Sequence, residues 1–236
     1  MTDIAAPAGK YMVDPYLDWA RQQGIPIHED FGLDLNAVAT APWPRFGVNG
    51  AIIHVKGRGD HMAVLLLDIP PGGQTAPQKH LFEAAFYVLS GTGSAIVERY
   101  IGEPHQFEWG PASVFAPPLN TRYRFFNTSG REPARLAMSC NLPAVLNLFH
   151  NEKFVFDNPG VFPEREGSQS HFQGEGDFIP VKPGKHMWET NFIPDTCRFK
   201  LHEWGACGAG ASHIQVILAD GVLHCHIKSL DTTLLT

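Results

Sequence analysis

Four residues between positions 78 and 123 are candidates for a metal site. The stretch QKHLFEAAFYVLSG, residues 78–91, places Gln78 and His80 two positions apart, and alternate residues of a β-strand share one face. Such a pair, a carboxylate such as Glu83 and a side chain from a later strand such as Tyr123 could surround one ion. Imidazole and carboxylate ligands together hold Fe(II) or Mn(II) and leave positions open for substrate and dioxygen. The question that the sequence raises is therefore whether these residues form a metal site.

The donor set at these four positions is incomplete. Apart from Glu83, only His80 is a standard ligand, since Gln78 offers a neutral oxygen and Tyr123 a phenol whose pKa is ordinarily about 10. Glu83 has the wrong parity to share a strand face with His80, unless a β-bulge shifts it. Two interpretations follow. His80 is either a ligand of a weak site, assisted by Gln78, Glu83 or Tyr123, or a hydrogen-bonded core histidine at a vestigial site, which the single imidazole favours.

Other chemistry-bearing patterns are weaker. His224 and His226 have the i, i+2 spacing of strand-borne ligands, but no Glu or His follows to complete a site. His54 and His61 flank a Gly-rich turn and are expected to be exposed. No G-x-S-x-G sequence supplies a nucleophile, and the short segments GVNG and GTG are typical of turns rather than phosphate-binding loops.

Short strands must position the candidate site. From Ala51 onward, apolar strand patterns alternate with turn residues about every 8 to 12 positions, which is typical of an antiparallel sandwich or barrel. Because side chains alternate between the two faces of a strand, Phe86 and Val88 should face the same side as His80. Tyr87 should then face the opposite side.

Three further segments flank or follow these strands. Asp14 as a cap, Pro15 at the first position and Gly24 at the end predict an N-terminal helix that packs on the sheet. Residues 141–156 predict a short helix followed by a strand. Residues 160–185 are polar and rich in Gly and Pro, which predicts a linker.

Composition limits the possible partners and compartment. The chain has 236 residues, a net charge of −6 and a pI near 6.0, which argues against binding to nucleic-acid phosphates. No apolar run has the length of a signal or a membrane span, so no membrane partner is expected. Four scattered cysteines without a C-x-x-C pair suit a reducing compartment, and we expect a cytoplasmic protein.

The segment 72–127 resembles the two signature motifs of the cupin superfamily. The first motif matches at Gly72, Gln78, Lys79, His80, Ala84 and Gly91, and the second at Pro118, Asn120, Tyr123 and Asn127, with Ala112 at its first Gly position. The sequences PQKHLFE and WETNFIPD are also similar to those of a bicupin subgroup related at a distance to gentisate-type ring-cleaving dioxygenases.

The resemblance implies an all-β fold built on a double-stranded β-helix barrel. It implies an N-terminal helical extension over 1–44, a cupin barrel over 45–158, a linker over 159–210 and the first strands of an incomplete second cupin over 211–236. In the family, two His, a carboxylate and a further His bind the metal. Here Gln78, His80, Ala84 and Tyr123 stand at those positions, and Glu83 lies one residue before the carboxylate position.

Two functions remain open. One is a cupin with a degenerate metal site, non-catalytic as encoded or part of a truncated bicupin, which binds a small organic ligand. The other is a metal-dependent dioxygenase that acts on a small aromatic or organic acid, with Phe86 and Val88 lining its substrate pocket. The expected cofactor is none, or a weakly bound Fe or Mn ion. Apolar strands near the C-terminus predict self-association, and so a homo-oligomer.

Overall fold

The structure is a computed structural model that describes residues 13–57, 61–182, 185–199, 201 and 212–229. Its helices are α1 (Pro15–Gln22), α2 (Leu142–Phe149) and α3 (Glu152–Phe156), with single 3-10 turns at Pro163–Arg165 and Ser170–Phe172. Its strands are β1 (Ile27–Asp30), β2 (Ala41–Trp43), β3 (Val48–Val55), β4 (Ala63–Ile69), β5 (Ala84–Ser90), β6 (Gly93–Val97), β7 (His105–Trp109), β8 (Val114–Phe115), β9 (Tyr123–Asn127), β10 (Ala134–Cys140), β11 (Asp177–Lys182), β12 (Lys185–Thr190), β13 (Phe192–Ile193), β14 (Ser212–Leu218) and β15 (His224–Ser229). None of the described helices is both long and apolar enough to span a membrane.

Two sheets form a jelly-roll barrel of the cupin type. The larger has the order β1-β3-β4-β10-β5-β8-β13, with β2 also paired to β3, and the smaller has the order β7-β6-β9. Most neighbours in these sheets are antiparallel. Gly91 turns the chain from β5 to β6 with φ +85°, and a Cβ there would lie 2.6 Å from Ala134. Only glycine combines that backbone angle with such a close approach.

The barrel interior is packed with apolar and aromatic side chains. Phe86 and Val88 are fully buried on the inner face of β5, while Tyr87 between them is 39% exposed. The ring of Phe86 lies 5.3 Å from that of Phe115 and 4.8 Å from that of Phe125, measured between centroids. The predicted alternation along β5 is therefore correct, and Phe86 lies in a close-packed aromatic core.

The N-terminal helix forms as the sequence predicts. The Asp14 side chain accepts a hydrogen bond from the backbone N–H of Leu17 at 2.9 Å, and Pro15 occupies the first position. Tyr16 and Trp19 are buried against the barrel. The Tyr16 hydroxyl lies 2.7 Å from Nε2 of His54, which is itself buried. The expectation that His54 is exposed was therefore wrong, because α1 covers it.

The segment after β10 differs from the sequence expectation in one element. Residues 142–149 form the expected helix α2, but residues 152–156 form α3 instead of a strand. The Asn151 side chain accepts the backbone N–H of Phe154 at 3.0 Å, which caps a new helix. Val155 then packs into the barrel core.

Much of the segment expected to be a linker is regular structure. Within 159–210, the described residues include both 3-10 turns and strands β11, β12 and β13. Strand β13 pairs with β8 of the barrel, whereas β11 and β12 join β14 and β15 in a separate four-stranded sheet. The division of the chain into a barrel, a linker and the start of a second cupin stays a proposal.

The apolar face of β14 is covered. Ile214, Val216 and Leu218 are buried and belong to a cluster that also includes Val114 and Ile193 of the barrel sheet. These three residues of the apolar strands that were expected to promote self-association are therefore buried inside the chain. Self-association itself stays a prediction.

Glu83 fastens this four-stranded sheet to the barrel. One carboxylate oxygen accepts a hydrogen bond from Nη2 of Arg165 at 2.8 Å, and the other accepts the backbone N–H groups of Val222 and Leu223 at 2.8 and 3.0 Å. The two ionic side chains are both less than one-fifth exposed. Removing such a partly buried anion leaves a guanidinium and two N–H groups without their acceptor.

The packing of β5 predicts losses of stability of very different size for substitutions at two adjacent residues. Phe86→Ala should lower the free energy of unfolding by about 3–5 kcal/mol, because it opens a cavity in the core. Tyr87→Ala should lower it by less than about 1 kcal/mol. Urea unfolding of both variants measures the difference, and equal losses would contradict the assigned faces of β5.

The Glu83 contacts predict a local effect in the hairpin between β14 and β15. Glu83→Ala should lower the free energy of unfolding by about 2–3 kcal/mol and speed hydrogen exchange at the amides of Val222 and Leu223. Glu98→Ala is the matched control, because its 3.6 Å ion pair with Arg122 is exposed and worth less than about 1 kcal/mol. Unchanged exchange at both amides would refute the fastening role of Glu83.

Candidate functional site

His80 and Tyr123 form a buried hydrogen-bonded pair. Nδ1 of His80 lies 2.7 Å from the carbonyl oxygen of Phe82, and Nε2 lies 2.8 Å from the Tyr123 hydroxyl. A carbonyl can only accept, so Nδ1 carries the imidazole proton and Nε2 accepts the Tyr123 hydroxyl proton. The nitrogen lone pair that a metal would need is already occupied.

Two neighbouring segments bring these residues together. The backbones of Gln78 and Tyr123 exchange two hydrogen bonds of 2.9 Å, which aligns the segment before β5 with the start of β9. The side chains of His80 and Tyr123 both point inward and are at least nine-tenths buried. The ring of Phe82 stacks on the imidazole with a centroid distance of 3.7 Å.

Burial keeps both partners neutral. It lowers the pKa of His80 from 6.5 to about 4 and raises the pKa of Tyr123 well above its ordinary value. Because the pKa of His80 is lower in the folded state, its contribution to stability is fully present above pH 6.5. That contribution is lost as the pH falls from 6.5 toward 4.

The remaining candidate ligands have other partners. The Gln78 amide donates to the carbonyl oxygens of Arg45 at 2.9 Å and Ala76 at 3.1 Å, so it braces the backbone. Both carboxylate oxygens of Glu83 are directed to Arg165 and the β14–β15 turn. Three of the four predicted site residues, Gln78, His80 and Tyr123, lie on adjacent paired segments. The Glu83 carboxylate lies apart from them.

These residues do not fit a bound Fe or Mn ion. Such an ion needs about three good protein ligands, and this site offers one imidazole whose free nitrogen is hydrogen-bonded. Across the part of the chain that the structure describes, no group of three or more His, Cys, Asp or Glu side chains is placed to hold a metal ion. His224 and His226 are exposed, and Nδ1 of His226 lies 2.7 Å from Nε2 of His213.

Phe86 and Val88 lie deeper in the same interior. Both are fully buried in the barrel core, and the Phe86 ring packs edge-on against Tyr123 at 5.7 Å. Their role as the lining of a substrate pocket stays a prediction.

A cavity lies on the outer side of the segment that carries His80. It has a volume of about 200 Å³, and its wall includes the polar residues Lys79, Asn120 and Arg122. The motif positions Lys79 and Asn120 lie beside candidate ligands in sequence, but alternation turns Lys79 away from the barrel interior. Sequence reasoning missed this cavity, since nothing in the spacing shows which polar atoms lack partners.

Comparison with known proteins identifies the family. Residues 36–158 match the auxin binding protein family. The chain is 27% identical over 103 residues to auxin-binding protein T92 of Nicotiana tabacum, a match that covers 42% of this chain and 54% of that protein. The chain therefore spans about half the length of this curated relative.

Solved structures of cupins are similar at a lower level. Oxalate decarboxylase of Lactobacillus farciminis, solved as a formate complex, is 18% identical, with a TM-score of 0.40 and coverage of 47% of this chain and 33% of that chain. The Cnp3 cupin domain of Schizosaccharomyces pombe is 18% identical, with a TM-score of 0.38 and coverage of 47% and 68%. Oxalate decarboxylase of Bacillus subtilis, which has Mn(II) centres, is 13% identical, with a TM-score of 0.38 and coverage of 46% and 28%.

These TM-scores are too low to carry a functional argument. The family match is stronger evidence, since it spans more than half of the chain and most of the jelly-roll barrel. The chain belongs to the auxin binding protein family, within the cupin superfamily.

Proposed function

We propose that this chain is a metal-independent cupin that binds a small organic ligand and is non-catalytic as encoded. The observation that carries the proposal is the hydrogen bond from the Tyr123 hydroxyl to Nε2 of His80. The hydrogen bond occupies the Nε2 lone pair through which the one imidazole of the candidate metal site would bind an ion.

Replacing this hydrogen bond by a metal would be costly. The Tyr123 hydroxyl is buried and would lose its acceptor, which costs about 1–3 kcal/mol. The ion would gain one imidazole, with Gln78 and Tyr123 supplying only neutral oxygens. Burial also raises the pKa of Tyr123, which opposes its ionisation to a phenolate ligand.

Ligand binding is favoured by the family and by the surface of the barrel. The tobacco relative is named as an auxin-binding protein, which makes a small organic molecule the natural class of ligand to test. Phe86, Phe115 and Phe125 fill the barrel interior. We therefore place the ligand in an outer cavity of the barrel.

The alternative is a metal-dependent dioxygenase that acts on a small aromatic or organic acid, as the gentisate-type resemblance suggests. That activity needs about three protein ligands on one ion, with positions left open for substrate and dioxygen. The single imidazole of His80 argues against it, and the relation to gentisate-type enzymes rests on sequence resemblance alone.

Metal content tests the proposal. After the protein has been loaded with Fe(II) or Mn(II) and desalted, elemental analysis should find far less than about one ion per chain. The combined variant Gln78→His, Ala84→Glu and Tyr123→His should retain more, because Ala84 is buried on the inner face of β5 with Phe86. The combined variant adds two imidazoles and one carboxylate that points into the barrel.

Tyr123→Phe is the matched control. It frees Nε2 of His80 without adding a ligand, so its metal content should stay low. If the unmodified protein instead retains one ion per chain and His80→Ala abolishes that retention, the barrel is a working metal site and the proposal is wrong.

A further inference from the structure

A groove crosses the outer face of the larger sheet, where four strands begin or end. Its volume of about 750 Å³ lies within the roughly 300–1,000 Å³ of sites for drug-sized molecules. One row of paired residues crosses its floor, namely Asn49 of β3, Asp68 of β4, Arg135 of β10 and Ser90 of β5. This groove shares no lining residue with the cavity beside Lys79.

Five prolines form most of the apolar wall of the groove. They lie in β2 and in the connections at the strand ends, and all are exposed to solvent: Pro42, Pro44, Pro70, Pro71 and Pro133. A proline has a fixed φ and no rotamer freedom to lose, so a ligand packed against this wall orders few side chains. An apolar body placed there would remove hydrocarbon surface from water, which favours binding. We call this site the proline-walled groove.

The two charged side chains of the proline-walled groove neutralise each other. Nε and Nη2 of Arg135 donate to the two carboxylate oxygens of Asp68, each at 2.7 Å. The hydroxyl of Thr40 donates to the same carboxylate at 2.6 Å. Among the described residues that line the groove, no other side chain carries a charge. A charged ligand would therefore lose water without gaining an uncompensated partner, and a neutral ligand is favoured.

Arg135 offers the groove a flat face. Its third nitrogen, Nη1, donates to the carbonyl oxygens of Leu35, Asn36 and Val38 at 2.9, 2.8 and 3.2 Å. The N–H groups of a guanidinium lie in its plane, and here each of the three nitrogens already donates within that plane. What remains for a ligand is chiefly the face of the group, on which aromatic rings stack.

We propose that the proline-walled groove binds a neutral aromatic molecule of two or more rings. One ring stacks on the guanidinium of Arg135, and the rest of the body packs against the proline wall. The inference rests on the proposed ligand-binding function and names a site and a ligand class for it.

Calorimetric titration with three matched probes tests the ligand class. The neutral aromatic probe is para-phenylphenol, para-cyclohexylcyclohexanol is its saturated counterpart, and para-phenylbenzoate carries a negative charge. The aromatic phenol should bind about threefold more tightly than the saturated alcohol, because only an aromatic ring gains from the guanidinium face. It should bind about tenfold more tightly than the carboxylate, which finds no free cation in the groove.

A substitution that fills the groove tests the site. Asn49 is exposed and lines the groove, so Asn49→Trp should occupy the space and weaken para-phenylphenol binding by about tenfold or more. Gln106→Trp is the matched control, because Gln106 is also an exposed amide on a strand but lies outside the groove. It should leave binding unchanged, and amide NMR spectra of both variants check the fold.

Three results would each overturn the assignment: no binding of para-phenylphenol, binding of the saturated alcohol that is equal or tighter, or equal affinities of the two Trp variants. In the last case the protein would still bind a small organic ligand at another site, so the proposed function would stand. Metal retained by the unmodified protein would instead refute the metal-independent function itself.

Discussion

The hydrogen bond between Tyr123 and His80 is the constraint on which the interpretation of this barrel depends. The imidazole is placed between a backbone carbonyl and a phenol, so both of its nitrogens are used. The pair is buried among aromatic rings, where a charge on either partner would be unfavourable. A position that could hold a ligated ion in a cupin therefore holds a neutral pair that contributes to the packing of the core.

The outward side of the same segment carries groups of a different kind. Alternation along the segment before β5 turns Gln78 and His80 inward and Lys79 outward. The inward residues are satisfied by the protein itself, whereas Lys79 lacks a carboxylate among the described residues and Oδ1 of Asn120 lacks a donor. The same short segment thus stabilises the core on one side and lines the outer cavity on the other. Glu83, which follows it, uses its charge to hold the C-terminal sheet.

The sequence predicts those features of the fold that depend only on residues close together in the chain. The cap at Asp14 and the alternation along β5 follow from neighbouring residues alone, and both are correct. The burial of His54 depends on Tyr16, 38 positions away. The segment EKFVF, residues 152–156, is compatible with strand or helix until the Asn151 cap is counted. At the candidate site, the spacing of residues in the sequence predicted that His80 and Tyr123 lie close together. It could not show that their side chains form a hydrogen bond. Which polar atoms near the outer cavity lack hydrogen-bond partners depends on the positions of all the neighbouring residues, so the sequence alone does not show it.

The protonation state of His80 tests the central claim most directly. Nitrogen-15 NMR of the imidazole, assigned by its loss in His80→Asn, reports which nitrogen carries the proton and at what pH the ring titrates. We predict a proton on Nδ1, an unprotonated hydrogen-bonded Nε2 and no titration until the pH approaches the His80 pKa of about 4. A ring that titrates near its ordinary pKa of 6.5, or an Nε2 whose resonance shifts on addition of Mn(II) or Zn(II) at one equivalent, would contradict the account.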